Sequence, residues 1–180
     1  IFPAEGKTVS PEMVRVGTRL AVLEMIQSGT TLYTDMYYFE EEIAKATKAA
    51  GMRGVLGQSV IGFPVADAKT PAEGLARAER FMAAFKGDPL IVATVAPHSM
   101  YTLDADSLKA TRDLARKFGV PLLTHLVETD TEVKDSLAAH KMTPTAYFES
   151  LGIWDTPAVA AHVVHVNDDD IAILKRHAVG

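Results

Sequence analysis

The sequence of 180 residues contains no cysteine. This absence excludes a disulfide framework and any zinc site built on thiolates, so a bound metal ion would need histidine and carboxylate ligands. Only six histidines are present, which keeps the set of candidate ligands small.

The sequence also lacks a strong charge and a long apolar run. Its formal net charge is -5 and its basic residues are scattered, so no phosphate-binding surface is expected and nucleic acid is not a predicted partner. No apolar run approaches the roughly 18 residues of a membrane helix. No signal peptide is expected either, because the first thirty residues include Glu5, Lys7, Glu12, Arg15, Arg19 and Glu24. We therefore expect a cytoplasmic protein without membrane contact.

Hydrophobic residues make up 48% of the chain, which favours one globular domain over residues 1–180 with no internal boundary. Five apolar, mostly non-alternating runs are typical of strands buried on both faces. They are Thr30–Met36, Arg53–Val60, Leu90–His98, Pro121–Glu128 and Ala158–His165.

Helical patterns separate these runs. One begins at Ser10-Pro11 and places Met13, Val16, Leu20 and Leu23 on one stripe. Another begins at Thr70, where Thr70-Pro71-Ala72-Glu73 has the pattern of a capping box. Alternating strands and helices predict parallel strands with right-handed crossovers, in either an open doubly wound sheet or a (β/α) barrel.

The two ends of the chain suggest that it is the central part of a larger barrel. The sequence begins at Ile1 without a methionine, and Ala178-Val179-Gly180 looks like the start of another strand. Five strands do not close an eight-stranded barrel, which needs about 250 residues. We therefore expect a partial (β/α)8 barrel with about five complete parallel strands, the second to the sixth, and flanking helices.

Polar residues stand at the ends of the predicted strands, where a (β/α) barrel carries its reactive groups. They are Asp35, Gln58, His98, His125, Glu128 and His162. Burying such groups costs desolvation, and convergence on one cavity would offset this cost by building a site. Asp35 is interpreted as structural.

His125 and Glu128 form the first candidate pair. A neutral imidazole can bind a divalent metal, and a nearby carboxylate can transfer protons to a substrate. Residues 125 and 128 would face opposite sides of a regular strand, so we predict that the strand breaks at Leu126 or Val127. In the alternative, His125 is a structural histidine and Glu128 opens the next helix.

His162 and His98 are the other candidates. His162 and His165 have odd spacing, so at most one faces the site, and we assign His162 to stabilising an oxyanion. His98 follows Pro97 at a strand end and is a candidate substrate contact. A buried structural histidine and a loop histidine are the respective alternatives.

The motifs resemble, in order and spacing, the methylthioadenosine/S-adenosylhomocysteine deaminase branch of the amidohydrolase superfamily. They are Gly29-Thr30-Thr31, Asp35-Met36-Tyr37, Ala96-Pro97-His98, His125-Leu126-Val127-Glu128-Thr129 and Ala161-His162. The resemblance covers the whole chain and extends to guanine deaminases and triazine hydrolases.

The resemblance implies a role for each candidate. His125 would bind the metal, Glu128 would shuttle protons and bind the purine, and His162 would lie beside the nucleophile. His98 would contact the substrate, and Glu5 would bind the ribose hydroxyls. Gln58 would be a substrate contact where some relatives carry arginine, which favours methylthioadenosine over S-adenosylhomocysteine.

The resemblance also implies one divalent metal, with zinc expected and iron or manganese as alternatives. The family's His-x-His pair and its second proton-transferring residue, an aspartate, fall outside this chain, so we expect weak or absent metal binding by residues 1–180 alone. The expected activity is hydrolytic deamination of an adenosine-type nucleoside with release of ammonia.

Other interpretations remain open. A guanine deaminase or a triazine hydrolase would use the same kind of site, and a non-catalytic interaction domain would keep only the scaffold. A metal-free barrel enzyme of the aldolase or isomerase type usually carries a lysine at a strand end, and none of these strands ends in one. The sequence leaves a homo-oligomer open.

Overall fold

The computed structural model describes residues 2–180, which form two compact units that meet in the chain at Val95 and Ala96. Each unit contains parallel strands with helices packed against them. The strand pairing is parallel in both units, as the alternation of strands and helices predicts.

The first unit contains a three-stranded sheet in the order β1-β2-β3. Strands β1 and β2 pair from Leu32 opposite Arg53 to Tyr37 opposite Gln58. The last two residues of β3 belong to the second unit. The elements are α1 (Phe2–Thr8), α2 (Pro11–Gln27), β1 (Leu32–Tyr37), α3 (Glu40–Ala49), β2 (Arg53–Val60), α4 (Pro71–Ala84) and β3 (Ile91–Pro97).

The helix starts of the first unit follow the sequence pattern. The Ser10 hydroxyl accepts a hydrogen bond from the Met13 amide, and the Thr70 hydroxyl accepts one from the Glu73 amide. The Glu73 carboxylate reaches back to the Lys69 amide rather than to Thr70. The N-terminus of α4 is therefore confirmed, with Glu73 bonding one residue beyond the expected partner.

The apolar stripe of α2 shares one face, but that face does not form the core of the first unit. Met13, Val16, Leu20 and Leu23 are each more than half exposed. The buried residues of this helix are Val14 and Val22. Elsewhere the core of the unit is supplied by residues that are almost fully buried, among them Ile43, Leu56, Val60, Ala78, Phe81 and Met82.

The second unit pairs β4 with β5 in parallel, from Leu122 opposite Ala158 to Leu126 opposite His162. Phe148 and Trp154 lie at its core with edge-to-face rings, and the indole N–H of Trp154 donates to the Thr145 carbonyl. Its elements are α5 (Ala105–Phe118), β4 (Leu122–Leu126), α6 (Asp130–His140), α7 (Pro144–Ser150), a 3₁₀ turn (Ile153–Asp155), β5 (Ala158–His162) and α8 (Asp168–Arg176).

The observed strand ends differ most from the expected ones in the second unit. Strand β2 has the predicted bounds, whereas β4 ends at Leu126 and β5 at His162, two and three residues early. Gly180 bonds to β5 through Ala158 and Ala160, as an additional neighbouring strand would. No helix within residues 2–180 is long and apolar enough to span a membrane.

Candidate active site

His98 lies directly after β3, with a partly buried side chain. Its Nδ1 is 3.1 Å from the Ser99 hydroxyl and 3.4 Å from the Thr102 hydroxyl. Burial, followed by the neighbouring His125, lowers the pKa of His98 to about 4. The imidazole is therefore neutral at pH 7 and can serve as a hydrogen-bond partner for a neutral ligand.

His125 stands on β4 and is fixed by the backbone of His98. Its amide donates to the His98 carbonyl at 3.1 Å, and its Nδ1 lies 2.8 Å from the same carbonyl oxygen. Because a carbonyl oxygen only accepts hydrogen bonds, Nδ1 must carry the proton. In the neutral ring, the lone pair then lies on Nε2, the atom that would bind a metal.

The chain turns sharply where β4 ends. Val127 has φ +46° although it is β-branched and fully buried, a combination that a valine rarely adopts. This left-handed residue interrupts the alternation of side chains between His125 and Glu128. The predicted break at Leu126 or Val127 is confirmed.

His162 makes a similar turn at the end of β5. It lies in register with Leu126, whose side chain is buried, so regular alternation would direct its ring away from His125. Instead His162 has φ +76°, and its ring stacks on that of His125 at 5.3 Å between centroids. Its Nε2 lies 3.7 Å from a carboxylate oxygen of Glu128.

Three imidazoles and one carboxylate therefore meet in the second unit. The His98 and His125 rings lie 4.7 Å apart, with His162 on the other side of His125. The Glu128 side chain remains 47% exposed and the His162 side chain 37%, so both can meet a ligand. The arrangement supplies one prepared metal ligand, one carboxylate for proton transfer and two further imidazoles.

The first unit carries the other two candidates. The Glu5 carboxylate accepts hydrogen bonds from the hydroxyls of Tyr37 at 2.9 Å and Tyr38 at 3.5 Å. The Gln58 side chain is fully buried and donates to Asp67 at 2.9 Å, while its Oε1 has no hydrogen-bond partner among residues 2–180. Both assignments as substrate contacts remain predictions.

Sequence reasoning missed Glu132, which is the third residue of α6. Its two carboxylate oxygens accept the amides of Val127 at 3.0 Å and Glu128 at 2.9 Å. The signal was present, because Thr129-Asp130-Thr131-Glu132 matches the capping-box pattern. The pattern predicts a helix start, and Thr129 does cap α6, but it does not predict that the carboxylate reaches the end of β4.

The fit to a metal is partial within the described chain. His125 offers a free Nε2, yet no group of three or more histidine and carboxylate residues within 2–180 is arranged to hold a metal ion. A divalent site normally takes at least three protein ligands. His125 therefore fits the role of one ligand, and the described residues do not complete a set.

Comparison with known proteins places these residues in a family context. The sequence of residues 3–180 matches the family model of the amidohydrolase family. A curated 5-methylthioadenosine/S-adenosylhomocysteine deaminase of Thermodesulfovibrio yellowstonii is 42% identical over 180 residues, which are 100% of this chain and 41% of that protein. The chain thus spans about two fifths of the length of this relative.

Two solved structures share the fold. An adenosine deaminase from Xanthomonas campestris with bound zinc superposes with a TM-score of 0.94 at 34% identity, covering 98% of this chain and 40% of that one. A guanine deaminase from C. acetobutylicum with bound guanine gives a TM-score of 0.86 at 18% identity, covering 98% of this chain and 45% of that one. The expected α/β fold, a part of a (β/α)8 barrel, is confirmed by the first of these likenesses.

Proposed function

This chain belongs to the amidohydrolase family, and on that premise we propose that the full-length protein is a metal-dependent deaminase of an adenosine-type nucleoside. The substrate is 5′-methylthioadenosine or S-adenosylhomocysteine, hydrolysed with release of ammonia. The curated relative carries this name at 42% identity, and the solved relative at 34% identity is an adenosine deaminase.

One observation supports the proposal most directly. His125, His162 and Glu128 come from two neighbouring strand ends, and at each end a left-handed residue turns the side chain towards the others. Such backbone strain is retained where the surrounding structure and function require it.

The proposed metal site requires ligands from outside residues 1–180. His125 would be one ligand through Nε2, and the resemblance assigns the remaining ligands to residues outside 1–180. Zinc is the expected ion, because the solved adenosine deaminase contains it. Such an ion would supply Lewis-acid activation of a water molecule, with His125 as one of the residues that hold it.

The residues of this chain perform the remaining tasks. Glu128 gives a proton to the purine ring nitrogen and helps to move protons to the departing ammonia. His162, 3.7 Å from Glu128, donates a hydrogen bond to the oxygen that gains negative charge. The neutral His98 contacts the substrate, and Glu5 in the first unit is proposed, on resemblance alone, to bind the ribose hydroxyls.

The proposal extends to the setting of the protein. Its partner is a small nucleoside rather than nucleic acid or a membrane, in keeping with the scattered basic residues. Residues 1–180 are the central part of the barrel domain, and the location is the cytoplasm.

The test is the variant Glu128→Gln in the full-length, metal-loaded enzyme. Turnover of 5′-methylthioadenosine, measured as ammonia release, should fall about 100- to 10,000-fold because a proton-transfer group is lost. Metal content should be unchanged. Asp135→Asn is the matched control, since it removes one exposed carboxylate from the helix that follows and should leave turnover intact.

The same experiment separates the alternatives. Near-normal ammonia release by Glu128→Gln would contradict the role of Glu128. Turnover of guanine or of a chlorinated triazine, but of no adenosine-type nucleoside, would replace the proposed substrate by one of the other two classes. A metal-loaded protein that turns over none of these compounds would favour a non-catalytic domain.

A further inference from the structure

The turn after β4 raises a question that the proposed chemistry does not answer. Val127 is β-branched, fully buried and left-handed, and the residue that follows it is the candidate proton shuttle. Such a conformation persists only where the surrounding structure imposes it. A relaxed Val127 would restore the regular alternation of side chains and turn Glu128 away from the side of His125.

Two sets of hydrogen bonds hold this turn. On one side, the Val127 carbonyl accepts the amides of Val164 at 3.2 Å and His165 at 3.0 Å, which joins the exits of β4 and β5. On the other side, the Glu132 carboxylate takes the amides of Val127 and Glu128, one on each oxygen. The first set holds the carbonyl of Val127, whereas the second holds the amide of Glu128 itself.

The Glu132 carboxylate, which clamps these two amides, is sheltered from water. The Glu132 side chain is only 5% exposed, although it belongs to the first turn of a surface helix. Its backbone is fixed in turn by a 3.2 Å bond from its amide to the Thr129 hydroxyl. Hydrogen bonds to an ionised carboxylate are stronger than neutral ones, and shelter from water increases the difference.

We propose that Glu132 is a positioning residue, which holds the exit of β4 in the left-handed turn that places the Glu128 carboxylate beside His162. The proposal rests on the proposed function in that Glu128 is taken as the proton shuttle. Glu132 touches neither substrate nor reacting atoms and acts only through the backbone of residues 127 and 128.

Two substitutions distinguish a clamp from a helix-capping charge. Glu132→Gln keeps the shape but turns an amide group towards one of the two backbone N–H donors. Glu132→Asp keeps the negative charge in the first turn of α6, where it favours the helix, but it is one methylene too short to reach both amides. A clamp fails in both variants, whereas a capping charge survives in the aspartate variant.

The activity measurement uses the full-length, metal-loaded enzyme and whichever substrate the wild type turns over. Both variants should lower kcat about 10- to 100-fold, because a small misplacement of a reacting group is costly. KM and metal content should stay within about 2-fold. Asp170→Asn is the control, since Asp170 is an equally buried carboxylate at the same helical position of α8, where it bonds the Asn167 amide.

Amide hydrogen exchange gives a second measurement that needs no substrate. In the wild type, the amides of Val127 and Glu128 should be protected although β4 ends at Leu126. Both should lose protection in the Glu132 variants and keep it in Asp170→Asn. Amide exchange tests the role of Glu132 even if the enzyme deaminates no purine. The positioning role and the proposed deaminase function can therefore be contradicted separately.

The contrary results are specific. Full kcat in Glu132→Asp with reduced kcat in Glu132→Gln would assign Glu132 to helix capping. Rapid exchange of the Glu128 amide in the wild type would overturn the clamp, and this measurement applies even if neither variant folds.

Discussion

The chain leaves β1 and β4 through the same kind of turn, but the two turns differ in how many backbone hydrogen bonds a glutamate accepts from them. In each, a residue beyond the strand is left-handed, Phe39 in the first unit and Val127 in the second. In each, a glutamate from the first turn of the next helix reaches back to the backbone of the exit. The β1 exit uses Glu40, and the β4 exit uses Glu132.

The two carboxylates differ in how many donors they receive. Glu132 bonds two amides, one on each oxygen. Glu40 accepts the Tyr37 amide at 2.8 Å, and its other oxygen is buried with no hydrogen-bond partner in the described part of the chain. Burial, and then the nearby Asp35, raise the pKa of Glu40 well above its usual value. The single hydrogen bond from the Tyr37 amide lowers the pKa of Glu40 but does not offset the burial of its carboxylate.

Glu132→Gln should have the largest effect on stability. It replaces a charge-assisted acceptor of a buried amide by a group that cannot accept, at a cost of about 2 kcal/mol. The thermal midpoint of the full-length enzyme should fall by about 2 °C at pH 7. A midpoint equal to that of the wild type would show that the two bonds contribute nothing net.

Glu40→Gln should have a smaller effect of the opposite sign. Because the pKa of Glu40 is raised in the folded state, the folded protein holds a proton that the unfolded chain releases above about pH 4.5. Folding stability contributed by this group is present below that pH and is lost as pH rises towards the folded pKa. The glutamine variant should therefore be more stable than the wild type at pH 8 and equal to it at pH 4.

The measurement is the difference in thermal midpoint between Glu40→Gln and wild type across that pH range. Glu41→Gln is a suitable control, because Glu41 is the next residue of α3, lies partly exposed and bonds Arg77 at 2.6 Å. A stability loss in Glu40→Gln at pH 8 would mean that the charged form of Glu40 is favoured in the folded protein, which would contradict its raised pKa.

The sequence predicted the strands well wherever burial alone decides their bounds. Strand β2 matches its apolar run, and each of the other four observed strands lies within or overlaps a predicted run. The exits of β4 and β5 were predicted too long because Val127, Val163 and Val164 favour strands by their shape. Bonds from distant residues override that preference and impose the left-handed turns.

The sequence was enough to predict the candidate site residues, but not the residue that holds their backbone in place. A histidine or carboxylate at a strand end stands out in an apolar run, so His98, His125, Glu128 and His162 could be found. Glu132 lies in a helical first turn, where an acidic residue needs no further explanation. In the folded protein, however, its carboxylate bonds the backbone at the end of β4. The exposure of the apolar stripe of α2 could not be predicted either, because the helical pattern shows that these residues share a face but not whether that face is buried.

The smallest expected effect is on folding stability and comes from replacing Lys141, a left-handed residue outside the strand exits. Lys141 follows the last residue of α6 with φ +58° and is exposed. Its backbone is therefore left-handed like that of Val127, but its side chain is not buried. Lys141→Gly should stabilise the protein by about 0.5 to 1 kcal/mol, since glycine adopts this conformation freely. Lys134→Gly, in the middle of the same helix, should destabilise it by about 1 kcal/mol and serves as the control. If Lys141→Gly gave no gain in thermal midpoint, a left-handed residue would cost little in this fold, and the strain at Val127 would need no clamp to maintain it.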